Sequence, residues 1–387
     1  MFKSSDKIFI ELELLEQYAH VAPLKAVKII ERIEGFKKPF KTKIIHIKGF
    51  GKIKDKSHDD ILLKCIATLN KIRYLETKKV FNLLVKLNLH SNEKITSESI
   101  KTLEHLSKYD LFVLRQVGYI VQKTILDELE HWGDQKIKKN IEVVFVIARE
   151  FLEPIFEGQS MPDYQTLQIQ SGPLVVSDEL KEIRKRTILI IERAYLLAST
   201  LNMKVKAIQV SRTATEPPHS HLYGDDVEQM IVEDTKAVIG FYLKILAEAD
   251  NELIQDIEEQ KIWLVKRFDK KLSEEIKELD EAIRSNASYD MFRVFVGYDG
   301  RLDPDYDFNR DRETRSKKIH EFIGKITETY FEQWREKILS VVKNYSATDP
   351  GGYGYFETFL IELGKKKSKF AILLLKNLKN DFNKNYI

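Results

Sequence analysis

Apolar residues recur at every third or fourth position along most of the chain, and strict alternation of apolar and polar residues is scarce. This spacing is that of an amphipathic α-helix, which turns one face towards a core. It predicts an all-α protein with helices at about residues 10–20, 23–34, 58–74, 76–89, 96–108, 110–132, 137–157, 178–201, 226–249, 251–286, 309–345 and 354–380.

Three segments of the chain align with one another, at residues 14–33, 68–87 and 359–378. Each consists of an amphipathic helix, a short break and a more apolar helix. Neither helix of such a pair could bury its apolar face alone, so neighbouring pairs are expected to stack. The sequence therefore predicts an α-solenoid of stacked helical hairpins, of the HEAT or TPR type.

Two segments interrupt the helical pattern. Residues 37–54 (KKPFKTKIIHIKGFGKIK) and 161–176 (MPDYQTLQIQSGPLVV) are β-prone and contain Gly and Pro at turn positions. We expect each to form an extended arm or a small hairpin at one edge of the array. Such an insertion either carries binding contacts or packs as a loop along the ridge of the array.

The pattern divides the 387 residues into three groups of helical repeats. The N-terminal group spans 1–158 and includes the first insertion, the central group spans 159–250 and includes the second, and the C-terminal group spans 251–387 with an acidic elbow at 297–311.

The last helix, KFAILLLKNLKNDF, is strongly apolar where a terminal repeat should present a polar face. Either this helix folds back onto its own array or, as we favour, the chain is a piece of a longer repeat protein or needs a partner there.

Composition narrows the range of partners and compartments. Lys and Arg number 63 against 60 Asp and Glu, so the net charge of +3 gives no general basic field for nucleic acid, and a protein partner is favoured. Cys65 is the one cysteine, which excludes an internal disulfide and a thiolate zinc cluster and fits a reducing compartment. Without an apolar run long enough to span a bilayer and without a secretory leader, the sequence predicts a cytoplasmic protein that is not bound to a membrane.

The acidic elbow is the first candidate for site chemistry. It reads GYDGRLDPDYDFNRDRETR at 297–315. A calcium-binding EF-hand loop needs Gly at its sixth position and Glu at its twelfth, whereas a loop counted from Asp303 has Phe308 and Thr314 there. We interpret the segment as a charged connection between helices, with a metal or partner site as the alternative.

A second candidate is the loop EPPHSHLYGDD, in which His219, His221, Asp225 and Asp226 lie close together in sequence. Imidazole and carboxylate groups are ligands of zinc and manganese, so this loop could support metal-dependent hydrolysis. One of the two aspartates could equally cap the helix that follows. No second cluster of histidine and carboxylate is available to complete a site, and we assign no metal or other cofactor.

A third candidate is the pair Arg315 and His320 in RSKKIH. Its spacing resembles that of the HEPN ribonucleases, small all-helical enzymes in which an Arg and a following His act together across a dimer. The resemblance implies that His320 would act as the general acid or base and Arg315 would hold the phosphate. Ser316 stands where those enzymes usually carry a polar amide or imidazole. Motifs of P-loop NTPases, GxSxG hydrolases and HExxH metalloproteases are absent from the sequence.

Residues 165–198 (QTLQIQSGPLVVSDELKEIRKRTILIIERAYLLA) and 291–299 (MFRVFVGYD) resemble parts of large bacterial proteins in which a STAND-type NTPase or another effector precedes a helical-repeat array. The resemblance implies the sensor or scaffold part of such a protein, with a role in antiviral defence. The favoured hypothesis is a non-enzymatic scaffold or sensor that binds another macromolecule. The HEPN-like ribonuclease and the metal-dependent hydrolase remain the alternatives.

Overall fold

The structure, a computed structural model, describes residues 5–36, 44–47, 51–54, 56–160, 168–219, 222–295, 307–343 and 354–382. These residues form an all-α helical-repeat fold, as the sequence predicts. Contacts divide the chain into two compact units, Met1–Thr235 and Lys236–Ile387. The division into three groups of repeats made from sequence stays a prediction. None of the described helices combines the length and the apolar character that crossing a membrane requires.

The helices of the first unit are α1 Ser5–Tyr18, α2 Pro23–Glu34, α3 His58–Ile72, α4 Thr77–Leu87, α5 Glu93–Ser107, α6 Leu111–Val117, α7 Ile120–Glu130, α8 Asp134–Lys139, α9 Ile141–Leu152, α10 Asp178–Leu197 and α11 Leu201–Arg212. Helix α12, Asp225–Leu246, runs across the boundary. The second unit continues with α13 Asn251–Phe268, α14 Ser273–Ser285, α15 Ala287–Phe295, α16 Phe308–Lys325, α17 Phe331–Lys343 and α18 Gly354–Phe382.

The first unit is built from two rows of helices. In one row α1 packs on α3, α3 on α5, α5 on α9 and α9 on α11; in the other α2 packs on α4, α4 on α7 and α7 on α10. Each helix of a row therefore contacts the equivalent helix of the next repeat, which is how a solenoid buries faces that a single hairpin would leave exposed.

Helix α3 shows how the sequence starts such a helix. The Ser57 hydroxyl accepts a hydrogen bond from the Asp60 amide at 3.1 Å, and the Asp60 carboxylate accepts one from the Ser57 amide at 2.8 Å. The two bonds together form a capping box.

The repeat that aligns in sequence is also repeated in the backbone. The alignment places Ala22, Glu76 and Lys367 at one position, and their φ and ψ angles are −142° and 63°, −135° and 48°, and −146° and 61°. Leu272, between α13 and α14, has a similar conformation at −133° and 33°. In the turns at Ala22, Glu76 and Leu272, three residues separate the end of one helix from this position, and the next helix begins immediately after it. In these three hairpins the break is therefore the same backbone turn, and the bend at Lys367 repeats its central conformation.

In the second unit α13 packs on α14 and α15, α15 packs on α17 and α18, and α16 packs on α18. The centre is aromatic, with the ring of Phe295 lying 4.8 Å from that of Phe359, 5.5 Å from Phe356 and 5.8 Å from Phe322. Helix α18 bends at Lys367, whose ammonium group donates to the carbonyl of Ile326 at 2.5 Å. This bond ties the bend to the C-terminal end of α16.

Both β-prone insertions contain antiparallel hairpins. In the first, β1 Ile44–Ile47 pairs with β2 Gly51–Lys54. In the second, β3 Ile155–Ser160 pairs with β4 Gln168–Pro173, and residues 161–167 lie outside the described residues. The second hairpin begins earlier than predicted, because α9 ends at Leu152 and not near residue 157. Glu153 precedes Pro154 and is extended, at φ −61° and ψ 129°, and a residue before proline disfavours the helical conformation.

Other predicted helix bounds differ from the observed ones. The helix predicted at 110–132 is divided between α6 and α7 because Gly118 adopts φ 60°, which no right-handed helix contains. The helices predicted at 251–286 and 309–345 are each two helices joined by a short turn. Helices α11 and α15 were not predicted.

Candidate functional site

The second hairpin is joined to the array at its base. The Glu157 amide of β3 donates to the Tyr109 carbonyl at 2.9 Å, so β3 pairs with the loop between α5 and α6. Glycine at position 158 favours this close approach, because a Cβ there would lie 3.0 Å from the Cβ of Leu111, which is tighter than most side-chain contacts. The Lys108 ammonium group then contacts the Glu157 carboxylate at 3.2 Å. The base of the second hairpin is therefore packed against the array.

Two cavities meet at this junction and share Lys108 and Glu157 in their walls. The first, which we call the turn cavity, has a volume of about 310 Å³ and is lined by Arg73, Tyr74, His105, Lys108, Asp110 and Glu157. The second, which we call the glutamate cavity, has a volume of about 360 Å³ and is lined by Glu104, Lys108, Arg149, Glu150, Glu153 and Glu157.

The glutamate cavity holds more negative than positive groups. Arg149 contacts Glu150 at 2.9 Å and Glu104 at 3.6 Å. Burial raises the pKa of Glu150, and Arg149 opposes this shift. Burial also raises the pKa of Glu153, and the nearby Glu216 raises it further. A cation in this cavity would stabilise both carboxylates in the ionised form.

A buried ion pair lies beneath the junction. Arg184 of α10 is fully buried, and its Nε donates to Asp234 at 2.6 Å while its Nη1 donates to the Leu152 carbonyl at 2.6 Å. Its Nη2 donates to the Ala214 carbonyl at 3.4 Å. Burial raises the pKa of Asp234, and Arg184 opposes this shift. The pair fixes the end of α9, from which β3 begins, relative to α10 and α12.

The sequence contained a signal for Arg184 that was missed. Leu180 and Ile188 lie four residues before and after it, and both are buried, so Arg184 falls on the apolar face of α10. A charged residue on such a face needs a buried partner. Asp234 lies 50 residues further along the chain, and nothing in the local pattern identifies it as that partner.

The structure places Arg315 and His320 on α16 with different surroundings. Arg315 is buried; its Nε donates to Asp311 at 2.8 Å, its Nη1 donates to the Arg293 carbonyl at 2.5 Å, and its guanidinium lies 4.8 Å from the centre of the Tyr355 ring. The exposed His320 contacts the Ser316 carbonyl through Nδ1 at 2.8 Å. Arg315 thus joins α15, α16 and α18, which is a packing role.

The candidate metal ligands lie partly outside the described residues. His219 is exposed, His221 is not among the described residues, and Asp225 and Asp226 are exposed at the start of α12. In the described ranges no group of three or more His, Cys, Asp and Glu side chains is arranged to hold a metal ion. Of the acidic elbow, residues 297–306 also lie outside the description. Asp307, which follows them, accepts the Arg310 amide at 3.0 Å and caps α16.

A scan of the sequence against models of protein families finds no match. A search among curated proteins finds no match either.

Proposed function

We propose that the protein is a non-enzymatic helical-repeat scaffold or sensor that binds another macromolecule, and that this partner is a protein. The observation that carries the proposal is the β3–β4 hairpin, which is inserted between two repeat helices and packed at its base against the array. Loops held on a rigid scaffold commonly carry binding function. Here the base of the loop is bordered by two charged cavities.

The hairpin also presents an exposed surface. Residues 168–171 are exposed, and Ile169 among them has an exposed fraction of 66%. Val175, just after β4, has an exposed fraction of 78%. In protein interfaces a few apolar or aromatic contacts inside a polar rim supply most of the affinity. Binding here would use the hairpin for contact area and the cavities for charged side chains of the partner.

Site-specific photocrosslinking tests this proposal. A photoreactive phenylalanine analogue is introduced at Ile169 and, as the matched control, at Leu196, which has a similar exposed fraction of 69% but lies at the end of α10. We expect a discrete adduct with one protein from the native host at Ile169 and none at Leu196. Adducts that are absent at Ile169, or the same at both positions, would count against the hairpin as a binding element.

The narrower proposal is that the chain is the recognition part of a larger bacterial defence protein in the cytoplasm. It is supported by the sequence resemblance at 165–198 and, for the compartment, by the single cysteine. The full reading frame and its neighbouring genes test it. An NTPase or nuclease encoded upstream in the same frame or operon would support it, and unrelated neighbours would not.

A further inference from the structure

The turn cavity contains cationic groups from two separate elements. Arg73 and Tyr74 belong to the turn between α3 and α4, and they face His105 and Lys108 at the end of α5. The Tyr74 hydroxyl donates to the His105 carbonyl at 3.0 Å, which holds the turn against α5. The Arg73 guanidinium lies 4.4 Å from the centre of the Tyr74 ring. The aromatic ring therefore supports the guanidinium at the cavity wall.

Arg73 has hydrogen-bonding capacity that the protein leaves unused. Its Nη1 donates to the carbonyl of Asn70 at 2.6 Å and to the side-chain oxygen of the same residue at 3.1 Å, and both acceptors are neutral. Its Nε is enclosed and has no acceptor, and across the described part of the chain no carboxylate lies within ion-pair distance of Arg73. A guanidinium carries five N–H donors in a fork that fits two oxygens of a phosphate or carboxylate. The remaining donors of Arg73 match such a group.

The two carboxylates in the cavity wall have other partners. Asp110 accepts the amides of Phe112 and Val113 at 2.9 and 3.1 Å and so caps α6. Glu157 contacts Lys108 at 3.2 Å. Neither carboxylate is directed to Arg73, so the guanidinium charge remains available to a ligand.

The surroundings of the turn cavity disfavour a positive charge on the His105 imidazole. Partial burial, Arg73 and Lys108 together lower the pKa of the His105 imidazole, while Glu104 and Glu98 on the same helix act in the opposite direction. A bound anion would offset the two cations and favour protonation of His105. The imidazolium would then be a third positive group beside the ligand.

We propose that the turn cavity binds a phosphate group, presented as a phosphomonoester, through Arg73, His105 and Lys108. A doubly charged phosphomonoester matches the two cations Arg73 and Lys108, with His105 protonated beside them, better than a single carboxylate does. A volume of about 310 Å³ accommodates the phosphate and a small part of the molecule that carries it. This ligand is additional to the protein partner proposed above, and its binding is tested without that partner.

Titration calorimetry on the full chain provides the test, with inorganic phosphate, phosphoserine and AMP as separate probes at constant ionic strength. Arg73→Met keeps the side-chain stem on Tyr74 but removes the charge, and we expect it to weaken binding by about ten- to a hundredfold. Arg115→Met, which alters an exposed arginine on the nearby helix α6, is the matched control and should leave the affinity unchanged. Tighter binding of phosphoserine than of inorganic phosphate identifies a phosphorylated side chain as the source of the phosphate, and tighter binding of AMP identifies a nucleotide; tightest binding of inorganic phosphate would count against a phosphomonoester.

A second measurement keeps the proposal falsifiable if Arg73→Met fails to fold. The His105 ring protons are followed by NMR in the unaltered protein, with His105→Asn for assignment, and added phosphate should raise the imidazole pKa. Binding that is equal in Arg73→Met and the unaltered protein would overturn the proposal. So would saturating phosphate that leaves the His105 signals unchanged.

Discussion

Replacing Arg184 by methionine tests how the base of the hairpin is held. Met has a similar apolar stem and no charge, so the variant leaves the Asp234 carboxylate, the Leu152 carbonyl and the Ala214 carbonyl without their donor. All three lie at the buried junction of α9, α10 and α12. We therefore expect Arg184→Met to lower the free energy of unfolding of the first unit.

The magnitude follows from what remains in the variant. Removing one partner of a buried ion pair costs about 3 to 5 kcal/mol, because an uncompensated charge is left in the interior. Removing both partners, in Arg184→Met with Asp234→Leu, should restore most of this loss. Since the pKa of Asp234 is already raised, the single variant should lose more stability at pH 8 than at pH 5, where the carboxyl is closer to its protonated form.

Urea unfolding followed by tryptophan fluorescence measures these changes. The chain has three tryptophans, and Trp263→Phe with Trp334→Phe leaves Trp132 as the reporter of the first unit. Trp132 is buried and stacked on Phe81 with 5.7 Å between ring centres, so its emission should change when this unit unfolds.

Arg186→Met is the matched control on the same helix. Arg186 contacts Asp127 at 2.6 Å and Glu130 at 2.7 Å near the surface, and such pairs contribute about 0 to 1 kcal/mol. An Arg184→Met cost no larger than that of Arg186→Met would show that the buried pair does not hold this junction. A double variant as unstable as the single one would show the same.

Three further changes test local features. Gly118→Ala should destabilise by about 1 kcal/mol in thermal melting because Gly118 has φ 60°, whereas Gly133→Ala, at φ −68° and with equally open space for a Cβ, should have little effect. Burial and two neighbouring glutamates raise the pKa of Asp256 to about 6, so its ionised form weakens the fold as the pH rises towards 6 and above. Asp256→Asn should therefore raise the free energy of unfolding at pH 8 by about 1 kcal/mol after allowance for its exposure, which thermal melting would show as a higher melting temperature, and should have no such effect at pH 4. An equal effect at both pH values would contradict this. Cys65 is buried and its pKa is raised to about 12, so a thiol reagent at pH 8 should label it at the rate of unfolding, and prompt labelling of the native protein would show that the site is open.

Apolar spacing was sufficient to predict the all-α repeat and the position of several breaks, because the helical period and the packed face are local properties. It did not reveal α11, in which Lys204 and Lys206 interrupt the stripe, or α15, whose sequence ASYDMFRVF is rich in aromatic residues. Both helices are stabilised by packing that the sequence does not show.

The candidate site was less predictable than the fold. The second insertion was identified as a possible binding element, but the cavities at its base combine side chains from the α3–α4 turn, α5, α9 and β3. Arg73 and Glu157 are brought together by stacking of repeats and not by sequence spacing. The candidates chosen from spacing, such as Arg315 and His320, were close in sequence but have different surroundings in the structure.

The recurring turn at Ala22, Glu76 and Leu272 carries the segments AHVA, RYLE and DKKL, which share no residue at any position. In these three turns no side chain caps the helix that follows. Instead, the amides of Ala26, Val80 and Ile276 donate to the backbone carbonyls of Ala22, Glu76 and Leu272, the turn residues themselves. Sequence drift can therefore replace every side chain of such a turn while the hairpin keeps its shape. A repeat protein of this kind can evolve a new contact in one turn, as Arg73 and Tyr74 illustrate, without altering the stacking of its neighbours.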